Sequence, residues 1–132
     1  MPKPLLPVCG EPVTGRTLRS LGSIGCEVAV LNTHYLGPMI PEYFGKSYFG
    51  LPLRYSHEQE IQGTYGALHG PRSILSKADA VIMINGDSLC RWPLKSLIRR
   101  HLKSGASATL LLHRRAPDDA LGGGVGVDPS GR

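Results

Sequence analysis

The residues best suited to chemistry lie in the segment 81–87, which reads VIMINGD. Its four consecutive apolar residues, 81–84, predict a strand buried on both faces, as in parallel sheets covered by helices. A carboxylate is costly to place at the end of such a strand unless a cation meets it. Ligands of open α/β sheets bind outside the carboxyl ends of the strands. Asp87 is therefore a candidate metal ligand, with a plain turn as the alternative, because Asn, Gly and Asp are common turn residues.

The size and composition of the chain limit what can surround this segment. With 132 residues and 41% hydrophobic content, the chain is long enough for one domain with a real core. No stretch is apolar and long enough to cross a bilayer, and the proline-rich start has no apolar core like that of a signal peptide. These features predict a cytoplasmic protein with no membrane partner.

The charge of the chain favours anionic partners. Fifteen Lys and Arg residues against ten Asp and Glu residues give a formal net charge of +5, which favours phosphates and nucleotides. A nucleic-acid-binding protein is a weaker hypothesis, because it needs a basic face with stacking aromatics. The basic residues are scattered, and the chain holds one Trp, five Tyr and two Phe. Nucleic acid is therefore not an expected partner.

The cysteines argue against a zinc site. Cys9, Cys26 and Cys90 are odd in number and include no C-x-x-C pair. That pattern is typical of reduced thiols rather than of a disulfide framework or a zinc site. We therefore expect three free thiols.

Hydrophobic spacing predicts strands that alternate with helices around the segment 81–87. Such alternation predicts βαβ units in an α/β fold, with a Rossmann-like, mostly parallel sheet and helices on both faces. In the amphipathic helix 94–103, Leu94, Leu97, Ile98 and Leu102 share the inward face. The predicted order is helix 13–24 capped by Gly25, strand 28–31, helix 37–44, strand 53–55, helix 64–75 interrupted at Gly70 and Pro71, strand 81–84, helix 94–103, strand 108–112, and a Gly-rich segment 122–128 with a last strand at 125–127.

Three short motifs resemble those of the sugar-nucleotide pyrophosphorylases, the nucleotidyltransferases that make NDP-sugars. The order and separations of the motifs also match that family, and weaker matches occur at residues 32–35 and 124–125. The resemblance covers essentially the whole chain, and mannose-1-phosphate guanylyltransferase-like members are the preferred subgroup. The motifs are Pro2-Lys3-Pro4-Leu5-Leu6-Pro7-Val8, Gln62-Gly63-Thr64-Tyr65-Gly66-Ala67-Leu68 and Asn85-Gly86-Asp87.

The resemblance implies a nucleotidyl transfer between two anions. The phosphate of a sugar 1-phosphate attacks the α-phosphorus of an NTP, and pyrophosphate leaves. Catalysis of such a step consists mostly of charge neutralisation and in-line positioning. The implied cofactor is Mg²⁺, held by few protein carboxylates and several phosphate oxygens.

The resemblance also implies roles for individual residues of the first and last motifs. Lys3 matches a catalytic lysine that places a positive charge on the phosphates, and Asp87 matches the catalytic aspartate that binds the metal. Asn85 and Gly86 belong to a substrate-binding turn, in which Gly86 lets a ligand approach the backbone. The alternative interpretation of Lys3 is an ordinary surface lysine near the amino terminus.

The middle motif implies a nucleotide-binding loop. Gln62, Gly63 and Thr64 match residues that contact the base. Gly66 and Ala67 match the opening of the following helix, whose start offers unpaired N–H groups to an anion or a polar ligand. The alternative is a plain loop-to-helix junction with Thr64 as the helix cap.

The sequence departs from the family pattern at several places. No Gly-rich turn of the type G-x-G-T-R precedes the Pro2-Lys3-Pro4 segment, and the family's second metal-binding aspartate has no counterpart. Tyr65 stands where a small residue is common, so its ring would either stack on a base or block the pocket. Gly124 matches a glycine beside the sugar, although its Gly-rich surroundings at 122–124 suit a plain loop equally well.

These departures predict an incomplete fold, in which the first strand and the C-terminal part are missing, and one partial nucleotidyltransferase domain over residues 1–132. We expect this chain by itself to be a weak or inactive catalyst. The alternative function is a non-catalytic module of the same fold that binds a nucleotide or a sugar phosphate. The particular nucleotide and sugar stay open, and an unpaired strand edge favours a homo-oligomer.

Overall fold

A computed structural model of the chain describes residues 1–112. The chain divides into two compact units, Met1–Arg91 and Trp92–Arg132. The first unit mixes short strands with short helices, which confirms the α/β class. Its elements are a 3-10 helix at Lys3–Leu5, strands β1 (Pro7–Val8), β2 (Glu11–Pro12), β3 (Ala29–Thr33), β4 (Ser47–Tyr48) and β5 (Leu51–His57), and helices α1 (Val13–Ser23), α2 (Met39–Phe44), α3 (Gly63–Gly66) and α4 (Arg72–Leu75).

A three-stranded mixed sheet lies at the centre of the first unit. Its strand order is β3-β5-β4, in which β3 and β5 run parallel and β4 pairs antiparallel with β5. Parallel strands need a crossover connection, and helix α2 lies in the connection between β3 and β5. In the parallel register Thr33 is opposite His57, so the carboxyl ends of these two strands meet at one edge of the sheet.

The core of this unit joins the sheet to helices α1 and α2. Along β5, the buried Leu51 and Leu53 alternate with the exposed Pro52 and Arg54, as expected for a strand with one buried face. Partly buried side chains, including those of Leu21 and Tyr55, pack around this cluster. The buried cluster consists of Leu5, Leu18, Ala29, Ile40, Phe44, Leu51 and Leu53.

Helix α1 confirms the helix predicted over residues 13–24. It ends as predicted at Gly25, whose φ is 88°. The N–H of Gly25 donates to the carbonyl of Gly22 at 3.1 Å, and the N–H of Cys26 donates to that of Leu21 at 3.2 Å. These two bonds form a Schellman motif, which satisfies carbonyls that the helix end would otherwise leave unpaired.

Two tight hairpins are absent from the sequence-based prediction. Cys9 and Gly10 connect β1 to β2, and Phe49 and Gly50 connect β4 to β5. All four residues have positive φ, between 46° and 81°, as two-residue type I′ turns require. The usual signal for such turns is Asn-Gly or Asp-Gly, so Cys and Phe at the first loop position conceal them.

The strand predicted over residues 81–84 is wrong. The segment pairs with no other strand in the described part of the chain, and Val81 and Met83 are 48% and 45% exposed. Ile82 and Ile84 are partly buried, so only one face of the segment is shielded from solvent, whereas the prediction was burial of both faces. A strand needs a neighbour to complete its backbone hydrogen bonds, and hydrophobicity alone does not supply that neighbour.

The helix predicted over residues 64–75 is two one-turn helices, α3 and α4. They are separated around Gly70 and Pro71, where the sequence predicts an interruption. Proline lacks the N–H that an interior helical position needs, and its ring clashes with the preceding turn. The interruption of residues 64–75 is thus as predicted, while the helical content of this region is smaller.

The second unit contributes one helix among its described residues, α5 (Leu94–Ser104). Its bounds confirm the prediction, but only part of the predicted inward face is covered: Leu94 is buried, whereas Leu102 is 65% exposed. Residues 108–112, predicted to form a strand, pair with no strand among residues 1–112, and Leu110 is 64% exposed. The strand predicted at 125–127 lies outside the described residues. Over residues 1–112, every helix is too short or too polar to cross a membrane.

Gly15 of helix α1 is enclosed by two side chains from neighbouring strands. A Cβ atom at this position would lie 2.9 Å from the hydroxyl of Tyr48 and 3.2 Å from Cγ of Glu11. That hydroxyl donates to Oε1 of Glu11 at 3.3 Å. Burial, and after it the negative charge of Glu11, raises the pKa of Tyr48. Helix α1 therefore approaches strand β4 closely because position 15 has no side chain.

Replacing Gly15 by Ala should lower the free energy of unfolding by about 1 kcal/mol, because an overpacking cost of about 1–3 kcal/mol exceeds the gain in helix propensity. Gly22→Ala in the same helix is the matched control. Its nearest contact would be Cβ of Leu51 at 3.7 Å, so it should stabilise by up to about 1 kcal/mol. Urea denaturation measures the free energy of unfolding of both variants. The decrease caused by Gly15→Ala should be smaller in a protein that also carries Tyr48→Phe, which lacks the crowding hydroxyl. Equal effects of the two alanines would contradict the expected crowding.

Candidate active site

The amino end of helix α1 holds the first motif in place. The N–H of Leu6 donates to the carbonyl of Lys3 at 3.1 Å, which closes the 3-10 turn. The carbonyl of Leu6 then accepts the N–H of Val13 at 3.1 Å, at the residue where α1 begins. Pro2 is buried and Lys3 is exposed, so the backbone of this motif is anchored while the side chain of Lys3 lies in solvent.

The turn that carries Asp87 is attached to the same helix end. Thr14, which directly follows Val13, is buried, and its hydroxyl donates a hydrogen bond to the carbonyl oxygen of Gly86. Gly86 is partly buried, whereas Asn85 and Asp87 are exposed. The bond joins two residues that are 72 positions apart in the sequence. The last motif is therefore tied to the first turn of α1 by tertiary structure.

Two consecutive residues of α1 thus hold the backbones of both catalytic candidates. Val13 bonds to the turn of Lys3, and Thr14 bonds to the turn of Asp87. Both candidate side chains are exposed. A cation and a carboxylate presented from turns on one helix end can serve a phosphate chain, because the cation neutralises the phosphates and the carboxylate can hold a divalent ion against them.

The middle motif lies at the edge of the sheet where β3 and β5 end. The backbone N–H of Gln62 donates to Oε2 of Glu58, which directly follows β5, at 3.4 Å. Helix α3 is a single turn preceded by Gln62, with no side-chain cap. The interpretation of Thr64 as the helix cap is therefore wrong. A single turn also has a smaller dipole than the longer helix predicted there, so it offers less to an anion.

The loop formed by this motif is open to solvent. Gln62, Gly63 and Thr64 are exposed, whereas Gly66 and Ala67 are partly buried. The φ of Gly63 is 74°, which favours glycine. A Cβ atom at Gly66 would overlap Cβ of Gln62. Glycine at position 66 therefore lets the side chain of Gln62 fold against the turn.

Tyr65 at the middle of this loop is 81% exposed. Its ring departs from the small residue that the family pattern places there, and it lies in solvent. An exposed aromatic ring is available for stacking on a planar ligand such as a base. Gly124, the glycine predicted to lie beside the sugar, is outside the described residues.

A polar network at the ends of β3 and β5 was not predicted from the sequence. The hydroxyl of Thr33 lies 3.4 Å from Nδ1 of His57, and Nδ1 of His34 lies 2.9 Å from the carbonyl of Glu58. The N–H of Glu58 donates to the carbonyl of Thr33 at 2.8 Å. This network positions the chain just before Gln62. Its sequence signal is a polar run directly after an apolar strand, the same signal that singled out Asp87.

The exposed carboxylate of Asp87 is compatible with a Mg²⁺ ion that is held mainly by substrate phosphates. Over residues 1–112, no group of three or more His, Cys, Asp or Glu side chains is arranged to hold a metal ion. Asp87 presents one exposed carboxylate. Mg²⁺ typically keeps several waters and is held by one or two carboxylates together with substrate phosphates. A single accessible carboxylate therefore fits this ion better than it fits a metal that requires a complete protein cage.

Comparison with known proteins supplies the family. Residues 1–129 match the nucleotidyl transferase family. A D-glycero-alpha-D-manno-heptose 1-phosphate guanylyltransferase of Aneurinibacillus thermoaerophilus is 36% identical over 112 residues, which are 85% of this chain and 48% of that protein. A mannose-1-phosphate guanylyltransferase catalytic subunit beta of Drosophila pseudoobscura pseudoobscura is 30% identical over 84% of this chain and 31% of that protein. Its counterpart in Xenopus tropicalis is 27% identical over 85% of this chain and 32% of that protein.

The chain spans about half the length, or less, of the relatives that it matches. The family match nevertheless covers nearly all of its residues and includes all three motifs found in the sequence. The chain therefore belongs to the nucleotidyl transferase family, among the sugar-nucleotide pyrophosphorylases that its motifs resemble.

Proposed function

We propose that this chain catalyses, weakly by itself, nucleotidyl transfer from GTP to a sugar 1-phosphate of the manno configuration, with a GDP-sugar and pyrophosphate as products. The family match supports the reaction class. The names of the relatives support the substrates, because they are guanylyltransferases for mannose 1-phosphate or a manno-heptose 1-phosphate. The observation that carries the proposal is the attachment of both the Lys3 turn and the Asp87 turn to the amino end of α1.

In the proposed reaction, an oxygen of the sugar phosphate attacks the α-phosphorus of GTP. The bond between that phosphorus and the oxygen bridging to the β-phosphate breaks, and pyrophosphate leaves. Both reactants are anions, so their repulsion has to be neutralised before the attacking oxygen can approach. Lys3 is proposed to donate its ammonium hydrogens to the phosphate oxygens, which its exposed side chain and anchored backbone allow.

Asp87 is the residue proposed to hold Mg²⁺, through its exposed carboxylate. When bound, the ion would neutralise phosphate charge and align the reacting groups. The contribution of the chain itself is to present this carboxylate on a turn whose backbone is bonded to Thr14.

The loop that begins at Gln62 is proposed to contact the base. The side-chain amide of Gln62 offers both a donor and an acceptor, which recognition of a guanine edge requires. Gly63 and Thr64 would contribute backbone groups to the contact with the base. The partly buried Gly66 and Ala67 would support the loop. We also propose that Asn85 and Gly86 of the last motif contact the substrates. For Gly124, which lies outside the described residues, we propose the sugar-binding role that the family resemblance implies.

Replacing Gly66 by Ala should weaken GTP binding about tenfold, because the new methyl group displaces Gln62 and a hydrogen bond to the base is lost. Gln62→Ala should have a similar effect, and the preference for GTP over UTP should fall in both. Isothermal titration with each nucleotide and Mg²⁺ measures the change. Gly22→Ala adds the same methyl group at a helical site without crowding and is the control. Unchanged GTP affinity in Gly66→Ala would argue against a base contact by Gln62.

The fold of the whole chain, including the residues that the structure does not describe, is also a proposal. We propose that residues 1–132 form one partial nucleotidyltransferase domain with a Rossmann-like sheet. The parallel pairing of β3 with β5, linked through helix α2, supports that topology. The match of residues 1–129 to a single family supports the extent of the domain.

The test is an assay of the 132-residue chain with Mg²⁺, labelled GTP, UTP or dTTP, and mannose, manno-heptose or glucose 1-phosphate. We predict that this chain turns over slowly. The assay therefore uses single-turnover conditions, with protein in excess over nucleotide, which detect slow transfer. We expect a GDP-sugar and pyrophosphate, favoured by a manno sugar. Mg²⁺-dependent nucleotide binding without product would favour the non-catalytic module. Neither binding nor product would refute the proposal.

A further inference from the structure

Resting on the proposed role of Asp87, we propose that Thr14 is a positioning residue for that aspartate. Thr14 stands in the first turn of helix α1 and is 4% exposed. Its hydroxyl donates a hydrogen bond to the carbonyl of Gly86, the residue directly before Asp87. Thr14 is not required to touch a substrate; it acts by holding the turn from which Asp87 projects.

Besides the partly buried side chains of Ile82 and Ile84, this turn has few contacts that fix its backbone. Residues 79–91 lie outside every helix and strand. Within residues 1–112, the bond from Thr14 is the one hydrogen bond that joins residues 79–91 to the rest of the chain. Ordering a segment without backbone pairing costs conformational entropy at each residue. Removal of the Thr14 hydroxyl is therefore expected to widen the range of positions that Asp87 visits.

Helix α1 is a suitable anchor because it is itself well fixed. Val13 and Leu18 are buried, and the amino end of the helix is bonded to the Lys3 turn through the N–H of Val13. A Cβ atom at Gly86 would lie 3.4 Å from Oγ1 of Thr14, which shows how closely the turn approaches. Thr14 therefore fixes the Asp87 turn to the same end of α1 that holds the turn of Lys3.

Packing of the Thr14 side chain does not by itself require the hydrogen bond that its hydroxyl forms. A buried hydroxyl requires a hydrogen-bond partner, and at the first turn of α1 the carbonyl four residues earlier belongs to Gly10, which lies before the helix. Here the partner is a carbonyl 72 positions away. Valine has nearly the same shape without the donor, so it separates the hydrogen bond from the volume of the side chain.

The first experiment compares Thr14→Val with Thr14→Ser in the full chain. Thr14→Val should lower the single-turnover rate and raise the Mg²⁺ concentration for half-maximal rate, each about 10–100-fold, as for other residues that orient a metal ligand. Thr14→Ser should stay close to wild type, because it keeps the donor. Thr17→Val, a partly buried threonine of the same helix, is the matched control. Should Thr14→Val fail to fold, Thr14→Cys replaces it, since a thiol is a weak donor.

The second experiment does not depend on activity. Backbone NMR order parameters at Gly86 and Asp87 should fall in Thr14→Val and stay unchanged in Thr14→Ser and Thr17→Val. A folded Thr14→Val protein with unchanged order parameters and an unchanged Mg²⁺ requirement would overturn the positioning role. A wild-type chain that shows neither binding nor transfer would instead refute the proposed function, while lower order parameters in Thr14→Val would still support the anchor.

Discussion

Replacing Asp87 by Asn should reduce the rate of Mg²⁺-dependent GDP-sugar formation by at least about 100-fold. Asparagine keeps the size of the side chain and the turn bonded to Thr14, but it removes the negative charge that attracts the ion. Because Asp87 is exposed, the change should leave the free energy of unfolding nearly unaltered. Single-turnover transfer of labelled guanylate over a range of Mg²⁺ concentrations measures the effect.

Asp79→Asn is the matched control for this variant. Asp79 is exposed and lies in the same segment outside helices and strands, so its replacement makes the same change in net charge. It should leave the rate and the Mg²⁺ requirement close to wild type. A similar rate for the two variants would mean that Asp87 does not hold the ion, and the carboxylate would then have to be sought elsewhere.

Replacing Lys3 by Gln should reduce the transfer rate about 100-fold, because the phosphates lose a positive charge that is held close to them. Lys3 lies between two prolines in a 3-10 turn bonded to α1, so the backbone should keep its position in the variant. Lys3→Arg should recover part of the rate, since a guanidinium keeps the charge but has a different shape and hydration. The measurement is the same single-turnover assay.

Lys77→Gln removes a positive charge from an exposed position and is the control. If Lys3 acts only through the overall charge of the chain, the two glutamine variants should lose activity equally, and the loss should disappear at high salt, which screens exposed charges. A close contact between Lys3 and the phosphates predicts that Lys3→Gln alone is impaired and stays impaired at high salt.

The two site variants should differ in their response to the metal. Asp87→Asn should need much more Mg²⁺ than wild type, whereas Lys3→Gln should have a nearly normal Mg²⁺ requirement and a weaker affinity for GTP. The difference follows from the proposed roles, because a carboxylate binds the ion and an ammonium group binds the phosphates. Identical Mg²⁺ profiles for the two variants would contradict this division of roles.

Local sequence signals predicted helices α1, α2 and α5, the strand β3, and the interruption at Gly70 and Pro71. Caps, prolines and hydrophobic spacing act over a few residues, so they can be recognised without a partner element. The hairpins at Cys9 and Phe49 were missed, because neither residue is typical of a turn with positive φ.

The predictions of strands at 81–84 and 108–112 were wrong for a different reason. Both segments are apolar, and both lack a strand neighbour in the described part of the chain. Apolar composition indicates that a segment prefers to leave water, but backbone hydrogen bonds to another segment make it a strand. Pairing of that kind is a property of the tertiary structure and is not visible in a window of a few residues.

By itself, the sequence determined the chemical groups of the candidate site: a lysine between prolines, a glycine-rich loop, and an aspartate after an apolar run. These motifs predicted the family, which the match over residues 1–129 confirmed. Only the tertiary structure decided that Thr14 holds the Asp87 turn and that α1 joins this turn to Lys3. The physical reason is that a hydrogen bond between residues 72 positions apart depends on how whole elements pack, which local residue types do not specify.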